Sequence, residues 1–244
     1  MAANGRKDLT RKGESVLQTT SSAAEISAFI SQARALGPAR GGSERGRLIF
    51  ALDATMSRQP TWDTACQLQA EMFNETASIG GLDVQLIYFR GFGECRAGKW
   101  VSDARRLADI MGRIDCRGGH TQIRKVLVHA RKEAEKKRVH ALVYVGDCME
   151  ENIDTLAQRA GELALRNVPC FMFQEGREPV AERAFKEIAR LTRGAWCPFD
   201  AGAAHQLREL LSAVAIYAAG GHRALEDYGK RHAGGRLLLA RMSR

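Results

Sequence analysis

A carboxylate and two hydroxyls stand at alternate positions in Asp53-Ala54-Thr55-Met56-Ser57. Alternate side chains of an extended or gently turning segment point the same way. Asp53, Thr55 and Ser57 can therefore converge as hard oxygen ligands, a donor set that suits Mg²⁺ or Mn²⁺, ions that keep several waters. Two further segments offer related chemistry. Gly118-Gly119-His120-Thr121 opens a helical stretch; its glycines permit close backbone approach, and Thr121 places a hydroxyl near a helix N-terminus. Asp147 follows the apolar run His140–Val145, in Val145-Gly146-Asp147-Cys148. Each piece also has a plainer reading, because Asp, Ser and Thr cap helices and turns. The pattern Asp-x-Ser/Thr-x-Ser is weak by itself and gains force from standing directly behind a core strand.

The elements that must position these residues follow from hydrophobic periodicity. Short apolar runs at Arg47–Leu52, Val84–Phe89, His140–Val145, Val168–Phe173 and Ala195–Phe199 read as buried strands. Glu94–Trp100 is polar enough for an edge strand. Only Gly91-Phe92-Gly93 separates it from Val84–Phe89, too little for a parallel crossover, so this pair reads as a hairpin. Helical spacing marks Ala23–Leu36, Thr61–Ile79, Asp103–Ile114, Thr121–Lys137, Asn152–Arg166, Pro179–Thr192 and Ala203–Ala219. Alternating strands and helices with short loops imply a mostly parallel α/β sheet covered on both faces. Open sheets of this kind bind ligands beyond the carboxyl ends of their strands, where Asp53 and Asp147 fall.

Together, the Asp53-Thr55-Ser57 pattern, the glycine-preceded Thr121 and the strand-end Asp147 resemble the metal-ion-dependent adhesion site of von Willebrand factor A domains. The resemblance covers about residues 46–220 and includes Ala189–Asp200, which is similar to a late strand of that family. It implies a Rossmann-like three-layer sandwich with a mostly parallel six-stranded sheet and one antiparallel edge strand. It also implies that Asp53, Thr55, Ser57, Thr121 and Asp147 hold Mg²⁺ or Mn²⁺, partly through water. A protein partner would complete the coordination with an acidic side chain. The similarity is to small bacterial members more than to integrins; with the lack of targeting signals it implies a scaffold in a bacterial cytoplasmic complex, and catalysis is not expected because no nucleophile–base pair is visible. Two residues depart from the family pattern. Thr55 stands where serine is commoner but keeps the hydroxyl. Cys148 follows Asp147 where glycine is usual, which sets a thiol close to the site; it is redox-sensitive if a metal stabilises its thiolate, and otherwise an inert small side chain. His120 reads as a rim residue, and Glu150 and Glu151 as support for the ligands or as a solvated helix start.

Composition narrows the remaining classes. The 244 residues, 45% of them hydrophobic, suit one α/β domain with tails: an N-terminal extension at 1–45, the domain at 46–220 and a basic tail at 221–244. Of the net charge of +9, segment 1–46 holds +3 and segment 221–244 holds +4, dispersed and without interleaved aromatics, so nucleic acid is not the expected partner. Residues 1–22 and about 229–244 are expected to be mobile or to depend on contacts outside the core, with Leu237-Leu238-Leu239 as an apolar anchor for the domain or a partner. Six separated cysteines without a C-x-x-C pair point to free thiols. There is no apolar run of about 18 residues for a membrane span, and the polar N-terminus lacks a signal-peptide core. A dinucleotide site fails because Arg96 stands where Gly91-Phe92-Gly93 would need a third glycine. A phosphotransferase of the haloacid dehalogenase type needs a carboxylic acid where Thr55 stands. A structural domain with a degenerate metal site remains the strongest alternative.

Overall fold

A computed structural model describes residues 45–55, 82–200 and 204–242. Segment 1–22, the expected helices at 23–36 and 61–79, and Ser57 lie outside the described residues. The sheet begins with β1 (Gly46–Asp53), buried along its whole length, as a central strand covered on both faces must be. β2 (Leu82–Arg90) is also mostly buried, whereas β3 (Glu94–Val101) is exposed or half-buried throughout. α1 (Ala104–Met111) and α2 (Ile123–Lys136) lead to β4 (Ala141–Gly146). Then α3 (Ile153–Ala164), β5 (Cys170–Glu175), α4 (Pro179–Thr192) and β6 (Ala195–Phe199) alternate. α5 (Ala204–Gly229) and α6 (Ala233–Met242) close the described chain.

The six strands lie in the order β3-β2-β1-β4-β5-β6, and every pairing is parallel except that of β3 with β2. This is the expected α/β architecture with an antiparallel edge strand. Period-two alternation splits β1 between two cores. Leu48, Phe50 and Leu52 face α1, α5 and α6, while Ile49 and Ala51 face α2, α3 and α4. β1 has β2 on one side and β4 on the other, so the chain changes direction across the sheet at β1. In open sheets of this kind, ligands bind at the strand ends beside such a switch point.

Helix boundaries follow local chemistry. Asn152 caps α3 by accepting a hydrogen bond from the Thr155 amide at 2.9 Å, and Pro179 enters α4 at its first turn. The sequence places Thr121 at the start of the helix that leads to β4, but α2 begins two residues later with Gln122 as its cap residue. The expected tail differs more. Beyond Ala219 the chain bends at Gly221 (φ 72°), continues helically to Gly229 and resumes as α6. Leu225, Tyr228 and Leu238 are buried in the core beneath α5, with Leu237 and Leu239 packed against it. The apolar anchor therefore docks on the domain itself: burying these leucines removes apolar area from water, while Arg223, Arg231 and Arg236 stay exposed and keep their charges solvated. None of the described helices is long and apolar enough to cross a membrane.

Candidate metal centre

Asp53 ends β1 on the face shared by Ile49 and Ala51, and it is fully buried. Its Oδ1 accepts the Thr55 amide at 2.8 Å, closing a tight turn directly behind the strand. Thr55 is itself 4% exposed. The turn is tied down on both sides: the Ala54 amide donates to the Phe89 carbonyl at 3.0 Å, and the Arg117 amide donates to the Ala54 carbonyl at 3.1 Å. Asp147 leaves β4 on the other side of the switch point. Ligand atoms of Asp53, Asp147 and Cys148 all lie within 4.8 Å of one another. Asp147 Oδ1 is buried and has no hydrogen-bond partner among the described residues. Two carboxylates and a thiol at this separation can hold a divalent cation. Without one, two carboxylates held this close together repel each other when both are ionised.

Thr121 reaches this region through the loop behind β4. Its amide and its hydroxyl both donate to Glu150 Oε2, at 2.9 and 2.7 Å, and the Glu150 amide donates back to Thr121 Oγ1 at 3.3 Å. The structure thus joins Thr121 to the Asp147 loop through a carboxylate. Glu151 has a separate job. Its carboxylate accepts from the Ile123 amide and from the Arg124 amide, the latter at 3.1 Å, which satisfies the open N-terminus of α2. Burial pushes the Glu151 carboxyl above its ordinary value, against the pull of the Arg124 and Ile123 amides and the Arg124 charge. Glu151→Ala should therefore uncap α2 and destabilise the protein by about 1 kcal/mol, a fall of roughly 2–4 °C in melting temperature. Glu151→Gln, which keeps an acceptor, should lose less. Equal melting of all three proteins would remove Glu151 from this role.

Of the two glycines before Thr121, Gly119 makes the expected close approach, whereas a Cβ at Gly118 would meet nothing within 4 Å. A Cβ at Gly119 would lie 2.1 Å from the Gly91 carbonyl oxygen, so only glycine lets the loop before α2 pack on the β2–β3 turn. The same contact carries a hydrogen bond from the His120 amide to that carbonyl at 3.3 Å. His120 is exposed at the rim and stands edge-on to Phe92, 5.4 Å between centroids, in that turn.

One neighbour of the site escaped the sequence reading. Tyr144 lies on β4, on the same face as Asp53, 1% exposed, with its ring 6.0 Å from Phe89 and 5.2 Å from Phe185. Burial pushes its phenol well above the ordinary value, and the acidic groups of Asp53, Cys148, Asp147 and Glu151 push in the same direction. The available signal was a lone tyrosine in an aliphatic run followed two residues later by Gly146, on the same strand face.

No protein-family model and no curated protein matches the chain. Solved structures do. The VWA domain of SpRpn10 aligns with a TM-score of 0.53 at 13% identity, covering 67% of this chain and 95% of that one. An aerotolerance-related membrane protein from Bacteroides fragilis aligns with a TM-score of 0.55 at 15% identity, covering 68% and 96%. A human COPII-coat protein aligns with a TM-score of 0.52 at 12% identity over 69% of this chain, which spans only 32% of that protein's length. At these identities the likeness concerns the fold alone, and it agrees with the observed strand order: the chain has a von Willebrand factor A-type fold.

Proposed function

We propose that this protein is a metal-dependent protein-binding module. Asp53 and Asp147 hold one divalent ion at the switch point, with Thr55, Ser57 and Thr121 contributing hydroxyl oxygens directly or through water. A protein partner supplies an acidic side chain to the ion's open side. The observation that carries this reading is the convergence of Asp53, Asp147 and Cys148 within 4.8 Å, at the strand ends where α/β sheets place ligands. Of the two ions that the oxygen ligands suit, Mn²⁺ tolerates the added sulfur of Cys148 better than Mg²⁺ does. The role is binding and scaffolding, in a bacterial cytoplasmic complex, rather than catalysis.

A second reading, a structural domain with a degenerate site, draws support from the Thr121 hydroxyl being engaged by Glu150. Affinity capture separates the two. The immobilised 244-residue chain should retain a specific protein in Mg²⁺ or Mn²⁺, release it into chelator, and retain none of it as Asp53→Ala. Retention indifferent to chelator and to the substitution would favour the structural reading.

A further inference from the structure

The Tyr144 side chain combines features that packing alone leaves unexplained. Its residue is 1% exposed, and its hydroxyl has no hydrogen-bond partner among the described residues. A buried hydroxyl without a partner is destabilising, and phenylalanine would fill the same aromatic slot between Phe89 and Phe185 without that penalty. The hydroxyl also points in a definite direction. A Cβ built on Gly146 would lie 2.6 Å from the Tyr144 oxygen and 2.8 Å from Cε1. The phenol therefore leans along β4 toward its carboxyl end and occupies the space that a side chain at residue 146 would fill. Gly146 is the last residue of β4, directly before Asp147. β1 and β4 are paired at Leu52 and Val145, so one step further along each strand brings Asp53 and Gly146 to the same level of the sheet. The hydroxyl thus comes up beneath the Asp53–Asp147–Cys148 cluster from within the core. Asp147 Oδ1, likewise buried without a hydrogen-bond partner among the described residues, belongs to that cluster.

We infer that Tyr144 is a positioning residue of the metal centre, lending its hydroxyl to the ion's ligands from the core side, in the space that Gly146 leaves open. This rests on the metal-binding reading above. A neutral phenol offers both a donor and an acceptor. It can donate to a carboxylate oxygen, which would satisfy two buried oxygens at once, or bridge to the ion through one water. The floor of the centre is then a tyrosine–glycine pair on one strand face. Side-chain hydrogen bonds of this kind orient ligands, and losing one lowers metal affinity by roughly 10- to 100-fold.

The test uses the full chain, Mn²⁺ alone as the probe, and the variant Tyr144→Phe. Calorimetric titration gives the affinity, and melting in chelator gives the stability of the metal-free protein. The expected result is Mn²⁺ binding weakened at least tenfold with the metal-free melting temperature unchanged or raised, since an unpartnered hydroxyl has been removed. A purely structural tyrosine would give the reverse pattern: lower metal-free stability at unchanged affinity. That pattern, or affinity within twofold of the wild type, overturns the inference about Tyr144 while leaving the metal site standing. A wild-type protein that takes up no Mn²⁺ overturns both.

Discussion

Asp53→Asn is expected to erase the metal-dependent part of the protein's stability and to leave the metal-free protein at least as stable as the wild type. An ion that binds only the folded state adds about 4 kcal/mol at a thousandfold excess over its Kd. For a chain of this size that is a rise of roughly 8–16 °C in melting temperature. Asparagine keeps the carbonyl oxygen that accepts the Thr55 amide at 2.8 Å, so the turn behind β1 survives. It removes the charge, however, and with it the main attraction for a cation. In chelator the sign reverses. Asp53 is fully buried within 4.8 Å of ligand atoms of Asp147 and Cys148, so neutralising it relieves like-charge repulsion. Melting curves of both proteins, in chelator and in millimolar Mg²⁺ or Mn²⁺, decide the matter. An equal rise in both would mean that the ion binds elsewhere.

The other large effect lies at the opposite end of the sheet. Arg47 and Glu133, 6% and 7% exposed, form a salt bridge at 3.1 Å. Trp100 Nε1 donates to the same Glu133 oxygen at 2.7 Å, and the Arg47 guanidinium stacks 3.9 Å from the Trp100 ring centroid. Breaking a buried pair by removing one partner leaves a buried charge and costs about 3–5 kcal/mol. Glu133→Ala should lose that much in denaturant unfolding at neutral pH. The double variant Arg47→Met, Glu133→Leu should recover most of it, because an apolar pair strands no charge. Acid supplies a second check. Burial alone would raise the Glu133 carboxyl, but hydrogen bonds from Lys136 and Trp100 and the Lys136 charge outweigh it and hold the group below its ordinary 4.5. A depressed carboxyl contributes stability above its unfolded pKa and loses it as pH falls through the folded one. The gap between wild type and Glu133→Ala should therefore narrow below about pH 4. A loss under about 1 kcal/mol at neutral pH would show that the pair contributes no more than a surface bridge.

Strand positions and the class of the sheet were legible in the linear chain, because burial on both faces demands continuous apolar runs and a half-exposed edge does not. Arg47–Leu52 and Ala195–Phe199 could be read for that reason, and so could the hairpin, whose three-residue turn admits no other pairing. The strand-end aspartates were legible too, since topology confines ligands of such sheets to those ends. Where local and distant interactions compete, the linear pattern failed. Gly220-Gly221 and the scattered arginines beyond them read as the start of a tail, yet Leu225, Tyr228 and Leu238 return to the core. Thr121 read as the start of a helix, yet that terminus is satisfied by Glu151 from another loop, so the helix begins at Ile123. Residue types and their spacing determined which groups could bind a cation. Only the tertiary structure decided which of them meet, because 4.8 Å between Asp53, Asp147 and Cys148 is a distance across paired strands. The Tyr144 hydroxyl is the clearest case: its direction depends on the absent side chain of Gly146 and on the rings of Phe89 and Phe185, contacts that exist only once β1, β2 and β4 lie side by side under α4.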